Sequence, residues 1–338
     1  MKTSSLSTFR WVDLIRVVGA FLVVMAHVSY QGSGSVLISL YYSVLSRVAV
    51  PLFFMVSGYL LLRKEEPYGD FFRKRALKVL IPFFIWSVIY LLWKREGFDQ
   101  PFSMKLVASY LLKILRGPRE NHLWFFYALI GLYLFTPILR VFVARASLQD
   151  LYYFCGLWFV VVPVFSFVQE FTPVKIGFEL YFIAGYSGYF MLGYLLGMFQ
   201  YTHRQLYGLA ILFLIFSLGS TVVQYFVSLH GPTTEYFVGY LSMNIVLMTA
   251  FAFVLLREVQ VGDNLYNILA PLSRASFGIY LVHVIVLAEL EKLPVVSSWF
   301  SAGSSVYMIP LLGLLGFFVS FIIVAVIQKI PVLRWIVP

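Results

Sequence analysis

The stretch SRVAVPLFFMVSGYLLLRKEEPYGDFFRKRALKVLIPFFIWSVIYLLW, residues 46–93, decides the fold. Two apolar runs, 47–63 and 76–93, flank a short segment rich in Lys and Arg. Each run is close to the roughly 20 apolar residues that cross a hydrocarbon core as a helix. Neither alternates as a barrel strand would. The pattern is therefore that of a helical hairpin across a membrane, with the basic link on one side.

The rest of the chain repeats this pattern. Of 338 residues, 61% are hydrophobic, 19% aromatic and only 12% charged, and the mean hydropathy is +0.88. Ordinary soluble domains carry about 25% charged residues. A water-facing surface cannot be built from this composition, and a disordered chain would not hold so many aromatics. Apolar runs mark about ten spans, near 14–30, 47–63, 76–93, 122–143, 151–168, 178–199, 206–228, 235–256, 275–290 and 304–328. The expected architecture is an all-α polytopic bundle formed by one domain, 1–338, with no appended soluble domain. Asp13, Arg16 and His27 in the first run argue against a cleaved signal peptide. The single cysteine, Cys155, leaves no internal disulfide and no cysteine-based metal cluster.

Lys and Arg set the orientation. With both termini cytoplasmic, Arg63, Lys64, Arg73, Lys74, Arg75 and Lys78 fall inside. The exception is the link between the third and fourth spans, which carries Lys94, Arg95, Lys105, Lys113, Arg116 and Arg119 and would lie outside. Within it, residues 103–115 have helical apolar spacing and read as an interfacial amphipathic helix; a miscounted span is the alternative. The net charge of +10 follows topology and does not call for a nucleic acid partner.

Ionisable groups inside spans are costly and mark function by default. Arg16 and His27 lie eleven residues apart, within about 20° of one helix face and roughly 16 Å along the axis. Asp13 is one turn before Arg16 and can pair with it. An anionic ligand entering from the cytoplasm would meet Arg16 first and bring its reactive end near His27. The competing readings are a snorkelling anchor for Arg16 and a packing hydrogen bond for His27.

Pro51 can kink its span, and Ser57-Gly58 permits close approach of a backbone or a ligand. The cluster Arg73, Lys74, Arg75 and Lys78 could hold phosphates, although it also serves as a topology signal. His122 opens the fourth span on the outer side, as a second site histidine or a satisfied interfacial one. His283, near mid-span, reads more readily as structural. Glu179, at the start of the sixth expected span, either binds a sugar hydroxyl or caps the helix. Cys155 has no basic neighbour to favour a thiolate. Metal-ligand and nucleotide-loop spacings are absent from the sequence.

Four blocks in order, Arg16-x10-His27, VPLFFMVSGYLL, HLWFFYALIGLYLFTPIL and SRASFGIYLVH, resemble the acyltransferase 3 family of integral membrane acyltransferases. The resemblance implies a ten-span core in a bacterial inner membrane. It also implies a cytoplasmic acyl-CoA donor, usually acetyl-CoA, and an acceptor hydroxyl on a cell-surface glycan or lipid-linked sugar. No permanently bound cofactor is implied. Arg16 and His27 match the family's Arg-x10-His, in which the histidine is held to be essential. One departure stands out: where the family often has Arg-x-x-Arg, this chain has Arg75-Ala-Leu-Lys78, and lysine lacks bidentate geometry.

On that footing His27 is expected to act as general base or, alternatively, as an acyl relay. Arg16, oriented by Asp13, would hold the donor phosphates with Arg73, Lys74, Arg75 and Lys78. Ser57 and His122 are candidates for oxyanion or acceptor contacts, with Glu179 and His283 as supporting residues. The alternative from another class is a secondary transporter or flippase for a small anionic or lipid-linked substrate. It shares the spans and the intramembrane charges but would be expected to show matching halves. A non-catalytic scaffold is the third class.

Overall fold

A computed structural model describes residues 9–29, 35–94, 103–230, 234–302 and 304–338. Arg95 and the last residue of the first expected span lie outside the described residues. The described residues form helices and no strands: α1 (Arg10–Ser29), α2 (Val36–Ser46), α3 (Ala49–Leu62), α4 (Tyr68–Arg75), α5 (Ile81–Trp93), α6 (Met104–Arg116), α7 (Trp124–Arg145), α8 (Leu148–Phe159), α9 (Phe165–Phe171), α10 (Ser187–Leu196), α11 (His203–His230), α12 (Met243–Arg257), α13 (Asp263–Glu291), α14 (Pro294–Ala302) and α15 (Ser305–Lys329). Among them, nine continuous helical stretches are long and apolar enough to cross a membrane. The chain is a multi-pass helical membrane protein.

The sixth expected span departs from this rule. Of 178–199 only α10 is α-helical, and its ten residues reach about 15 Å, half a hydrocarbon core. A 3₁₀ turn at Tyr181–Ile183 and Gly185, in a left-handed conformation at φ 73°, precede it. The short helix is buried against α3 and α8. A backbone that breaks at membrane depth is tolerated where protein covers it.

The second expected span is longer than the sequence suggested. It runs Val36–Leu62 and is interrupted by a turn at Arg47 and Val48. Pro51 explains the position of the break. It has no N–H to donate to the carbonyl of Arg47, four residues earlier, and its ring crowds that turn. The third span likewise starts early, at Tyr68, and passes through a π-helical turn at Ala76–Leu80. Such turns are frequent at functional sites.

At the centre is α1, which packs against α2, α3, α12, α13 and α15. The close approach expected at Ser57-Gly58 is made by α10. A Cβ on Gly58 would lie 2.1 Å from the carbonyl oxygen of Phe190, and one on Gly193 would lie 2.1 Å from that of Met55. The two helices therefore touch backbone to backbone through reciprocal glycines. The stretch expected to be amphipathic forms α6, with Met104, Leu111, Leu112 and Leu115 exposed on it.

Candidate active site

Two cavities flank the middle of α1. The first, about 690 Å³, is lined by Arg16, Ser57, Lys64, Lys74, Arg75, Lys78, Ser273 and Arg274, together with aromatic and aliphatic side chains that include Tyr133. We call it the basic cavity. The second, about 580 Å³, is lined by His27, Arg47, Glu120, His122, Trp124, Glu235 and Tyr240, and we call it the histidine cavity. Tyr280 lines both. The helix rise between Arg16 and His27 thus carries α1 from one cavity to the other, on one face of one helix, as the spacing implied.

At the basic end, Asp13 stands one turn before Arg16, with 3.7 Å between carboxylate and guanidinium. Ser273 Oγ, on α13, donates to the same Asp13 oxygen at 2.6 Å. Asp13 is thereby fixed between two helices and in turn orients Arg16. Lys74, Arg75 and Lys78 reach the cavity, whereas Arg73 is exposed and does not line it. Charge spacing alone could not separate Arg73 from its neighbours, because helix rotation decides which cation faces inward.

A carboxylate with no distinguishing signal in the sequence organises this cluster. Glu66 lies within 4 Å of Lys64, Lys74, Arg75 and Arg140, and its side chain is only 3% exposed. That cover comes largely from the long basic side chains at the edge of the bundle. The Lys74 hydrogen bond, reinforced by the charges of Arg75 and Lys64, holds the Glu66 carboxyl below the usual carboxylate range. Arg140 also donates from Nε to the carbonyl of Leu61 at 2.8 Å and lies over the Phe71 ring.

At the other end three of the five histidines converge. Ring centroids are 4.7 Å apart for His27–His283, 5.1 Å for His122–His283 and 6.0 Å for His27–His122. The hydrogen bonds assign the tautomers. His27 Nδ1 lies 2.9 Å from the carbonyl oxygen of Val23, and His283 Nδ1 lies 2.7 Å from that of Tyr280. A carbonyl only accepts, so both Nδ1 atoms carry hydrogen. The lone pair on His283 Nε2 then faces His27 Nδ1–H at 3.3 Å. His27 is held from two sides through Nδ1, and its Nε2 keeps a lone pair with no partner among the described residues. His283, which reads as structural from sequence, is the residue that braces it.

His122 is 4% exposed, and neither of its ring nitrogens has a hydrogen-bond partner among the described residues. Its backbone carbonyl accepts from the Tyr280 hydroxyl, which anchors that ring between the cavities. Among the described residues, no group of three or more His, Cys, Asp or Glu is arranged to hold a metal ion. The remaining expectations separate by position. Ser57 lies in the basic cavity, away from His27. Glu179 is exposed, lines neither cavity and stands eight residues before α10, so it does not cap that helix. Cys155 is a buried free thiol.

The fold and these two cavities define a class: a polytopic membrane protein with a cation-lined chamber and a histidine-lined chamber toward opposite ends of one helix. The acyltransferase 3 family model, described as an acyltransferase domain, matches residues 9–329. The chain belongs to that family and is a membrane acyltransferase. No curated protein and no solved structure gives a significant match.

Proposed function

We propose that the chain transfers an acetyl group from cytoplasmic acetyl-CoA to a hydroxyl of a cell-surface glycan or lipid-linked sugar, with His27 as general base. The observation that carries this reading is the fixed tautomer of His27, which presents an unengaged Nε2 at the far end of the helix that bears Arg16. Family membership gives this reading precedence over a transporter.

In the proposed reaction the basic cavity takes the nucleotide end of the donor, with Arg16, Lys74, Arg75 and Lys78 on its phosphates. The acyl-bearing arm follows α1 toward His27. The acceptor hydroxyl gives its proton to His27 Nε2 as its oxygen attacks the thioester carbonyl. The tetrahedral intermediate collapses, the carbon–sulfur bond breaks, and the imidazolium returns the proton to the departing thiolate. A neutral imidazole can take up and return a proton in this way. In this reading His122, whose ring lies 6.0 Å from that of His27 and whose nitrogens have no hydrogen-bond partner among the described residues, holds the acceptor hydroxyl or the oxyanion. This orientation has both termini in the cytoplasm and the histidine cavity facing outward, in a bacterial inner membrane. The order of the sequence blocks also resembles that of the enterobacterial common antigen O-acetyltransferase, which favours acetyl and a surface polysaccharide of the O-antigen kind.

The test separates binding from chemistry. In the purified protein, Arg16→Ala should weaken acetyl-CoA binding about tenfold or more, the loss of one charge-assisted contact. His27→Ala should leave that binding intact and abolish transfer. Unchanged donor affinity in Arg16→Ala, or transfer surviving in His27→Ala, would overturn the respective assignment.

A further inference from the structure

The histidine cavity holds a cation that the proposed chemistry does not use. Arg47 stands at the break between α2 and α3, where Pro51 interrupts the helix, and its side chain lines the cavity with His27 and His122. Its Nη1 donates to the Tyr240 hydroxyl at 3.3 Å, and the guanidinium lies 5.2 Å from the centre of that ring. Its Nε is buried with no hydrogen-bond partner among the described residues.

Among the described residues Arg47 makes no ion pair. Glu120, which lines the same cavity, is committed to Lys94 at 2.6 Å, and Glu235 is exposed. At the basic end, by contrast, Arg16 and Arg75 each have a carboxylate within 4 Å. A guanidinium at membrane depth without a counter-charge is expensive to keep. A tyrosine beneath it does not supply that charge. Trp124 and Tyr240, with ring centroids 5.0 Å apart and planes inclined at 42°, line the cavity with aromatic faces, either of which can pack against the C–H face of a sugar.

Taking the reaction proposed above as given, we infer that Arg47 makes the histidine cavity an anion-selective acceptor site. The acceptor it admits carries a negative group, a sugar carboxylate or a phosphate, next to the hydroxyl that is acylated. Arg47 is then a specificity-determining residue that supplies the counter-charge only when the acceptor is bound. Its guanidinium would hold the anion by charge-assisted hydrogen bonds while Tyr240 fixes its plane.

The experiment measures acceptor binding without donor, so it stands whether or not transfer is detected. The full chain is placed in discs of neutral lipid. Dissociation constants are read by ligand-observed NMR for three probes: methyl glucuronide, methyl glucoside 6-phosphate and neutral methyl glucoside. At least one anionic probe should bind about tenfold or more tightly than the neutral one, with carboxylate and phosphate distinguished by which of the two it is. Arg47→Gln should bring that probe down to the level of the neutral glucoside, and Arg47→Lys should recover part of the preference. Neutral glucoside binding should be the same in all three proteins. The unfolding transition reports whether each variant is folded. If Arg47→Gln does not fold, the wild-type preference and its reduction in Arg47→Lys decide. Equal or undetectable binding of all three probes to the wild type, or an equal loss for charged and neutral probes on substitution, would overturn the inference.

Discussion

Glu66 offers a perturbation whose size can be worked from distances. Replacing it by Gln removes one negative charge and leaves Lys64, Lys74, Arg75 and Arg140 gathered around a neutral amide. Lys64 and Lys74 are about half exposed, at 55% and 52%, so each contributes at most about 1 kcal/mol. Arg75 and Arg140 are 18% and 11% exposed and lie 3.5 and 3.7 Å from the carboxylate. At the effective dielectric of such sites each attraction is about 4 kcal/mol before desolvation, and desolvation cancels most of it. A net loss of about 2–3 kcal/mol follows, or roughly 3–4 °C in the apparent unfolding temperature of a chain this long. Glu66→Gln should therefore unfold near that much lower in the absence of donor. Acetyl-CoA should restore more stability to the variant than to the wild type, because its phosphates replace the missing charge. The folded-state pKa of Glu66 is lowered relative to the unfolded chain. Its contribution is thus complete above the unfolded value near 4.3 and is lost as pH falls through the lowered one. A scanning-fluorimetry series with and without acetyl-CoA reads all of this. An unchanged transition, or equal stabilisation of both proteins by donor, would refute the reasoning.

Three further outcomes are expected. His283→Ala should lower kcat about a hundredfold while donor affinity stays at the wild-type value, because the His27 ring loses one of its two braces; a single-turnover assay beside a binding titration checks it. Gly58→Ala places a methyl 2.1 Å from the Phe190 carbonyl; it should cost about 3 kcal/mol or more, seen as lost monodisperse protein on size exclusion, and Gly193→Ala should behave alike. Tyr280→Ala should open the wall between the cavities and raise donor hydrolysis in the absence of acceptor, whereas Tyr280→Phe, which keeps the ring, should not; free thiol release measures both.

Much of the fold could be read from apolar run length, because a bilayer makes one dominant demand on each span. The alignment of Arg16 and His27 followed from helix periodicity, and α6 from its apolar spacing. The sixth expected span shows the limit of that rule. Residues 178–199 are apolar enough to cross, but the reciprocal glycines of α3 and α10 draw a short helix into the protein interior instead. The histidine cluster was hidden because positions 27, 122 and 283 come together only through packing of α1, the start of α7 and α13. Arg47 carried a legible signal, a cation four residues before a proline inside an apolar run. Glu66 carried none, since in sequence it is one of two adjacent glutamates beside a basic cluster. Arg73 and Glu179 have the right chemistry, but their local geometry turns them away from both cavities.

The central claim is that an acyl group passes along α1 from the basic cavity to His27, so that donor and acceptor meet from opposite sides of the membrane. The most direct measurement uses sealed inside-out vesicles given labelled acetyl-CoA, which cannot cross the bilayer, followed by extraction of the lumenal glycan and lipid-linked sugar. The account predicts label on the lumenal acceptor with the wild-type chain and none with His27→Ala, although both proteins bind acetyl-CoA equally. Equal labelling by the two proteins, or label confined to the outer face of the vesicles, would contradict it.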